Sequence, residues 1–146
     1  MKINKNYQSS SEEETKKIAK DFAKLLKSGD VVALFGDLGS GKTVFVKGLA
    51  RSLGIKTTIT SPTFVLIKSY PIYRAQKSLN FYHLDLYRVN GAKDIERLGL
   101  EELFSKDAIV VIEWADRAKT LPKKRIDVFL EAINGHTRRI KIDRRG

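Results

Sequence analysis

The apolar run Val31–Phe35 leads directly into a segment, residues 36–43, with the spacing Gly-x4-Gly-Lys-Thr. In such a segment the glycines let backbone N–H groups turn inward around an oxyanion. Lys42 supplies an exposed positive charge for the outer phosphates, and Thr43 offers a hydroxyl to Mg²⁺. Helical spacing of apolar residues over 44–53 supplies the helix that must follow the loop. The pattern predicts a strand–loop–helix unit that binds a nucleoside triphosphate, rather than an incidental glycine-rich turn.

Length and composition bound the class of protein. The 146 residues, 42% of them hydrophobic, are enough for one compact domain over 1–146, without space for a second domain or a long lid. No apolar run approaches the roughly 20 residues that span a bilayer, and the first five residues do not begin a signal peptide. The absence of cysteine excludes disulfides and agrees with a reducing compartment. We therefore expect a cytoplasmic protein that does not enter the membrane.

The net charge of +11 is large for this length and unevenly distributed. Residues 117–146 contain ten Lys and Arg against three Asp and Glu, a net charge of +7. This basic C-terminal region favours an anionic partner such as tRNA or an acidic protein surface. A solvated, lysine-rich surface without a partner stays open, because no aromatic–basic pattern accompanies the charge.

The N-terminal segment predicts an edge strand over 2–7 and then a helix. Ser9, Ser10 and Ser11 precede three glutamates, which is typical of a helix start with a capping hydroxyl and negative charge at the positive end of the dipole. Gly29 ends the helix before the next strand. The residues of this helix that are predicted to face the core are Ile18, Phe22, Leu25 and Leu26.

Residues 57–64 are rich in hydroxyl side chains and interrupted by Pro62, which predicts an ordered loop. Phosphate-hydrolysing folds often place a Ser or Thr where it senses the terminal phosphate or the metal, so Thr60, Ser61 and Thr63 are candidates. The alternative is that these residues are there because they suit turns.

Two strands, residues 65–70 and 79–86, are predicted to pair as an antiparallel hairpin around a polar turn at 71–78. Alternation places His83 and Asp85 on one face of the second strand. A carboxylate at a strand end near the phosphate loop suits a ligand of magnesium or water. Capping of the next turn is the alternative role for Asp85.

Residues 94–104 predict a short helix weakened at Gly99. The next five residues with strand character, 108–112, are all apolar, which is typical of a strand buried on both faces. Glu113 follows at its carboxyl end, the position of a Walker-B-like acid. Trp114 comes next, and large-residue packing and a place beside the nucleotide are equally compatible with it.

Alternating apolar residues from Ile126 to Leu130 predict a strand, and Asn134-Gly135 predicts a hairpin turn into a return strand over 138–142. Arg139 and Lys141 point outward, so the last hairpin is expected to form a basic edge. The predicted fold is a three-layer α/β P-loop NTPase domain with a mixed sheet. Its central strands, including 31–35 and 108–112, run parallel, and antiparallel hairpins lie at the edges.

Four motifs resemble, in order and spacing, those of the bacterial TsaE (YjeE) family, and the resemblance spans nearly the whole chain. They are the phosphate loop, Ser61-Pro62-Thr63-Phe64, the run His83-Leu84-Asp85-Leu86-Tyr87-Arg88, and Val111-Ile112-Glu113-Trp114. The loop is shared with many families, whereas the combination with the other three is specific to this one.

The resemblance implies a small ATPase that uses ATP and Mg²⁺, acts with TsaB and TsaD, and serves threonylcarbamoyl modification of the adenosine beside the tRNA anticodon. By the same resemblance, Lys42, Asp85 and Glu113 are catalytic. The resemblance also implies that Thr43 and Glu113 bind magnesium and that Asp85 orders the metal's waters or the attacking water. The residues implied to hold the phosphates are Gly39, Ser40, Gly41, Lys42, Thr43 and Val44, with the adenine near Glu13 and His136.

Three other functions share features with this one. A small-molecule kinase shares the loop pattern, but no segment between Gly54 and Ala108 is long enough for an acceptor-binding insert and a lid. A Ras-like GTPase needs an Asn-Lys-x-Asp element, which the sequence lacks. A nucleotide-sensing, RNA-binding module without useful turnover stays open because of the basic C-terminal region.

Overall fold

The computed structural model describes residues 4–57, 67–74, 76–87, 99–105, 107–118 and 120–146. Its strands are β1 (Asn4–Ser9), β2 (Val31–Phe35), β3 (Ile67–Arg74), β4 (Lys77–Asp85), β5 (Ala108–Glu113), β6 (Arg125–Ala132) and β7 (Arg138–Arg145). Its helices are α1 (Glu12–Ala23), α2 (Lys42–Ser52) and the single turn α3 (Leu100–Leu103), with a 3₁₀ turn at Ala115–Arg117.

The strands form one mixed sheet in the order β1-β7-β6-β2-β5-β4-β3. The four central strands pair parallel, and the outer pairs are antiparallel. All six residues of β5 are buried, because both faces of the sheet centre are covered. The predicted arrangement of parallel strands at the centre and antiparallel strands at the edges is confirmed.

Each face of the sheet carries its own apolar core. One core joins α1 and α2 to residues such as Val32, Leu34 and Val111. The other joins the opposite face, including Ala33 and Ile112, to α3 and the segment after β5. The predicted three layers are therefore present, and alternate side chains of β4 and β5 face α2.

The start of α1 agrees with the capping prediction. The Glu14 N–H donates to Ser11 Oγ at 3.1 Å, and the Ser10 N–H donates to the Glu14 carboxylate at 2.8 Å. The predicted core face is wrong at Leu25, which is 41% exposed. The helix ends at Ala23, so Leu25 lies beyond its helical spacing and turns to solvent.

The predicted turn at 71–78 is wrong, because β3 continues to Arg74, β4 begins at Lys77, and these two residues pair. Pro71 lies within β3, opposite Asn80. A proline lacks the N–H that a central strand would use, but β3 is an edge strand and pairs on one side only. The hairpin itself is confirmed.

The final hairpin is present but is not the edge of the sheet, so that part of the prediction is wrong. β1 pairs with β7 from Asn4 opposite Asp143 to Ser9 opposite Arg138 and covers that edge. The predicted N-terminal edge strand is thus confirmed over the part that the structure describes. Arg139 and Lys141 are exposed, as predicted, on the surface of the sheet.

Two other predictions lie outside the described residues. These are the 94–98 part of the helix before β5 and the hydroxyl-rich loop with Thr60, Ser61 and Thr63. Within the described ranges, no helix combines the length and apolar character needed to cross a membrane.

Candidate active site

The glycine-rich loop connects the carboxyl end of β2 to the first residue of α2 in the middle of the sheet. Gly36 is required there, since a Cβ on it would lie 2.5 Å from the Leu130 carbonyl oxygen and from Ser40 Oγ. Gly41 is the N-cap of α2, with φ 100°, and no side chain caps the helix. The first N–H groups of α2 are therefore available to an anion, at the positive end of the helix dipole.

Lys42 lies inside the loop rather than exposed beside it, which corrects the sequence expectation. It is only 5% exposed, and its ammonium donates to the carbonyl oxygens of Gly36 at 2.5 Å and Asp37 at 2.9 Å. Burial lowers the pKa of Lys42, while the negative charge of Glu113 opposes that shift most strongly among the nearby carboxylates. The loop thus holds a desolvated charge in one place, where it can meet a phosphate.

A buried chain of side chains links the helix to two strands. Thr43 Oγ1 donates to Glu113 Oε1 at 2.9 Å, and His83 Nε2 lies 2.5 Å from Glu113 Oε2. His83 is fully buried and Glu113 is 2% exposed. A proton on His83 Nε2 satisfies the carboxylate, whereas a proton on the buried Nδ1 would have no acceptor among the described residues. Both oxygens of Glu113 are thereby oriented.

Asp85 is a cross-strand neighbour of Glu113. The two lie opposite each other in the parallel pairing of β4 and β5, and Asp85 is 8% exposed. Asp85 Oδ1 accepts the Tyr87 N–H at 2.9 Å. The turn-capping role considered from the sequence is therefore real, and it holds this carboxylate beside Glu113.

Trp114 begins the turn after β5 with φ 58°, in the left-handed region that costs a non-glycine residue conformational energy. Its ring lies 3.9 Å from Lys42 Nζ, measured to the ring centroid, and 4.9 Å from the Tyr87 ring. Arg117 lies over both rings, at 5.3 Å from Tyr87 and 5.5 Å from Trp114. From the sequence, Trp114 could serve packing or lie beside the nucleotide. In the structure its ring packs against Lys42, the lysine of the phosphate loop.

The structure brings together most but not all of the predicted site residues. Ser40 is buried in the loop, Gly39 is exposed at its outer side, and Val44 is half-buried in the first turn of α2. Glu13 is exposed on α1 and pairs with Lys16 at 3.7 Å. His136 is exposed in the β6–β7 turn. No hydrogen bond or ion pair among the described residues joins Glu13 or His136 to the loop.

Two residues at the site had no role assigned from the sequence. His83 was placed on the correct face, and its signal was a polar residue within an apolar strand. Arg138 had no such signal: its Nε lies 3.9 Å from the position of a Cβ on Gly41, because the hairpin turn carbonyls of Asn134 and Thr137 hold its guanidinium there. Strand order, which brings β6 and β7 to the loop, decides this contact.

The donor atoms at the site suit magnesium. Thr43, Glu113 and Asp85 present oxygen only, the ligand type that Mg²⁺ prefers. No group of three His, Cys, Asp or Glu side chains arranged to hold a metal occurs within the described ranges. Mg²⁺ is usually held by one or two carboxylates together with substrate phosphates.

The fold and this site define an α/β protein in which a central parallel strand enters a phosphate-loop sequence at the start of a helix. Residues 9–140 match the family model described as threonylcarbamoyl adenosine biosynthesis protein TsaE. The chain therefore belongs to the TsaE family, as the resemblance of its motifs predicted.

Individual relatives agree. The chain is 42% identical over 129 residues to the tRNA threonylcarbamoyladenosine biosynthesis protein TsaE of Bacillus subtilis, covering 88% of this chain and 78% of the relative. It is 40% identical over 120 residues to the protein of the same name from Treponema pallidum, covering 82% and 85%. The crystal structure of YdiB from Bacillus subtilis superimposes with a TM-score of 0.78 at 36% identity, covering 100% of this chain and 88% of that one.

Proposed function

We propose that this protein binds ATP with Mg²⁺ and hydrolyses it, as the ATPase component of tRNA threonylcarbamoyladenosine biosynthesis in the cytoplasm, with TsaB and TsaD as partners. The observation that carries the proposal is the buried chain His83–Glu113–Thr43 beside Lys42, at the start of α2. A mainly structural loop would not require a desolvated lysine and a buried carboxylate at the same helix end.

Each residue has a role in this proposal. Lys42 and the N–H groups of residues 39–44 neutralise and orient the phosphates. Thr43 and Glu113 hold the metal, and Asp85 orders water beside it. Magnesium, when bound, offsets charge on the phosphate oxygens. In this proposal the catalytic residues are Lys42, Asp85 and Glu113, the three that the family resemblance implies.

The adenine is proposed to lie between the start of α1, near Glu13, and the β6–β7 turn, near His136. Arg138 supports the second half of this assignment, since the same turn that carries His136 holds Arg138 beside Gly41. An adenine at that turn would lie on the outer side of the loop.

A partner surface is proposed to complete the site. Leu38, in the loop itself, is 76% exposed, and Asp37 and Gly39 beside it are also exposed. An apolar side chain at the mouth of a charged site suits burial against another protein. Without such a cover, water has access to the phosphates and the charge formed during transfer is incompletely surrounded. Slow turnover by the isolated chain is expected.

Phosphate release tests the proposal. Turnover is measured for the purified chain alone, with TsaB and TsaD, and with both proteins plus tRNA, and small-molecule acceptors are added in parallel. We expect slow Mg²⁺-dependent hydrolysis that the partners accelerate. A turnover rate that is high for the isolated chain and unchanged by TsaB, TsaD or tRNA would refute partner dependence. Transfer of phosphate to a small-molecule acceptor would favour the kinase.

A further inference from the structure

A groove along α1 and α2 concentrates positive charge. Six of the side chains that line it are cationic, and Glu13 is the one acidic side chain among them. The groove has a volume of about 860 Å³. We call it the α1–α2 groove, and its cations are Lys16, Lys17, Lys20, Lys47, Arg51 and Lys56.

A glycine brings the two rows of charge together. A Cβ on Gly48 would lie 2.6 Å from the Lys16 carbonyl oxygen and 3.1 Å from the Ala19 Cβ, so only glycine permits this approach of α2 to α1. Ser52 Oγ donates to the Lys20 carbonyl oxygen at 3.2 Å one turn further on. The helices therefore run side by side, and the cations of both face the same groove.

The arrangement is unfavourable in the absence of an anion. Lys16 and Lys20 lie four residues apart on α1, as do Lys47 and Arg51 on α2, and like charges at this spacing destabilise a helix. Apart from the loose contact of Lys16 with Glu13, no carboxylate among the described residues pairs with a cation of the groove. A bound polyanion would relieve this repulsion.

The basic C-terminal region differs, because carboxylates already neutralise much of it. Arg125 and Arg145 both contact Asp127, at 2.7 and 3.4 Å, and Arg144 contacts Asp30 at 3.3 Å. The charge that stands out in the sequence is thus partly satisfied within the fold. In the α1–α2 groove, five of the six cations have no carboxylate partner among the described residues, and all six line one depression.

We propose that the α1–α2 groove binds the phosphate backbone of RNA. Lysine is the commonest cation of the groove, and lysine contacts phosphates readily but is depleted in protein–protein interfaces. Among the described residues, no aromatic side chain on which a base could stack lines the groove, so recognition is of the backbone and not of the sequence. Relatives of this chain are tRNA threonylcarbamoyladenosine biosynthesis proteins, and tRNA is such a ligand. The inference does not depend on ATP hydrolysis.

Two triple variants with equal change of charge test the proposal. K17Q/K20Q/K47Q removes three cations of the groove, and K123Q/K124Q/K141Q removes three exposed cations of the C-terminal region. Binding of a fluorescent tRNA transcript is measured by anisotropy across a salt series. We expect the groove variant to bind about tenfold or more weakly at ~0.1 M salt, with a log–log salt slope smaller by about 2. The C-terminal variant should bind nearly as the parent does.

Four results would overturn it: equal weakening by both triple variants, stronger weakening by the C-terminal variant, no binding of the transcript by the parent, and preference of the groove for a poly-glutamate peptide over RNA. Circular dichroism confirms that both variants fold. Turnover of ATP by the groove variant should equal that of the parent, so loss of RNA binding with intact hydrolysis separates this proposal from the proposed function.

Discussion

Helix α2 borders two regions that are proposed to bind anions, and the two regions differ in how their charges are held. At its first turn, Lys42 is buried and fixed by carbonyl oxygens, and Thr43 is tied to Glu113. Along its flank, Lys47 and Arg51 are exposed and lack carboxylate partners among the described residues. The first arrangement fixes positions of single atoms, and the second produces only a positive field.

This difference has consequences for binding. A desolvated charge in a preorganised loop interacts strongly with one phosphate group and is weakly screened by salt. Exposed cations interact weakly one at a time, and their sum depends on salt. The loop is therefore expected to be sensitive to single substitutions and the groove to ionic strength.

The largest effect is expected for Lys42→Ala, with Lys47→Ala as the matched control five residues later in α2. Removing Lys42 should lower kcat/KM for ATP by about a thousandfold, since a preorganised charge at the transferring phosphate is lost. Removing Lys47 should leave hydrolysis unchanged. Because Lys42 is buried, thermal unfolding must accompany the kinetic assay. Equal activities of the two folded variants would refute the distinction between loop and groove.

Glu113→Gln should follow, with a loss of about a hundredfold in Mg²⁺-dependent turnover. The amide keeps the shape of the side chain but lacks the charge that the metal needs, and Asp85→Asn is expected to act in the same direction. Glu131→Gln, an exposed change on β6, is the control. Parent rates in both site variants would assign these carboxylates to structure alone.

Salt should separate the two regions without any substitution. Between about 50 and 200 mM salt, RNA affinity should fall on the order of a thousandfold if the groove contacts about six phosphates. Nucleotide affinity, measured by calorimetry under the same conditions, should change less than about tenfold. Parallel losses for both ligands would mean that they share one site.

Substitution of His83 tests whether this buried residue orients Glu113 for metal binding. His83→Phe removes the donor to Glu113 and should raise the Mg²⁺ concentration for half-maximal turnover about tenfold, as loss of a partner that orients a metal ligand does. His83→Gln keeps an N–H near the Nε2 position and should restore much of the affinity. If the two variants respond alike to Mg²⁺, His83 serves packing only.

The smallest effect is spectroscopic. Trp114, the single tryptophan, lies against Lys42, so its emission should shift when Mg²⁺-ATP binds and stay unchanged when RNA binds the α1–α2 groove. An unaltered spectrum at saturating nucleotide, with binding confirmed by calorimetry, would place the nucleotide away from this ring. A shift on RNA binding would show that the two regions are coupled.

Much of this protein could be read from local patterns. Local spacing is enough to predict the phosphate loop, the apolar central strands and the cap of α1. These features depend on residues close together in the chain, and backbone geometry acts over the same short distance. The edge-strand proline shows the limit: Pro71 reads as a turn because the sequence does not say that β3 has one free side.

The amino-acid sequence alone was sufficient to predict the phosphate loop, the positions of Asp85 and Glu113 at strand ends, and the family. Assembly of the sheet was needed for the contact of His83 with Glu113, the burial of Lys42 and the place of Arg138 beside Gly41. The tertiary structure also pairs C-terminal arginines with Asp127 and Asp30. Gly48 allows α1 and α2 to approach closely, so the cations of both helices line one groove. These outcomes depend on strand order and helix approach, which join residues far apart in the chain, and no local pattern records such distances.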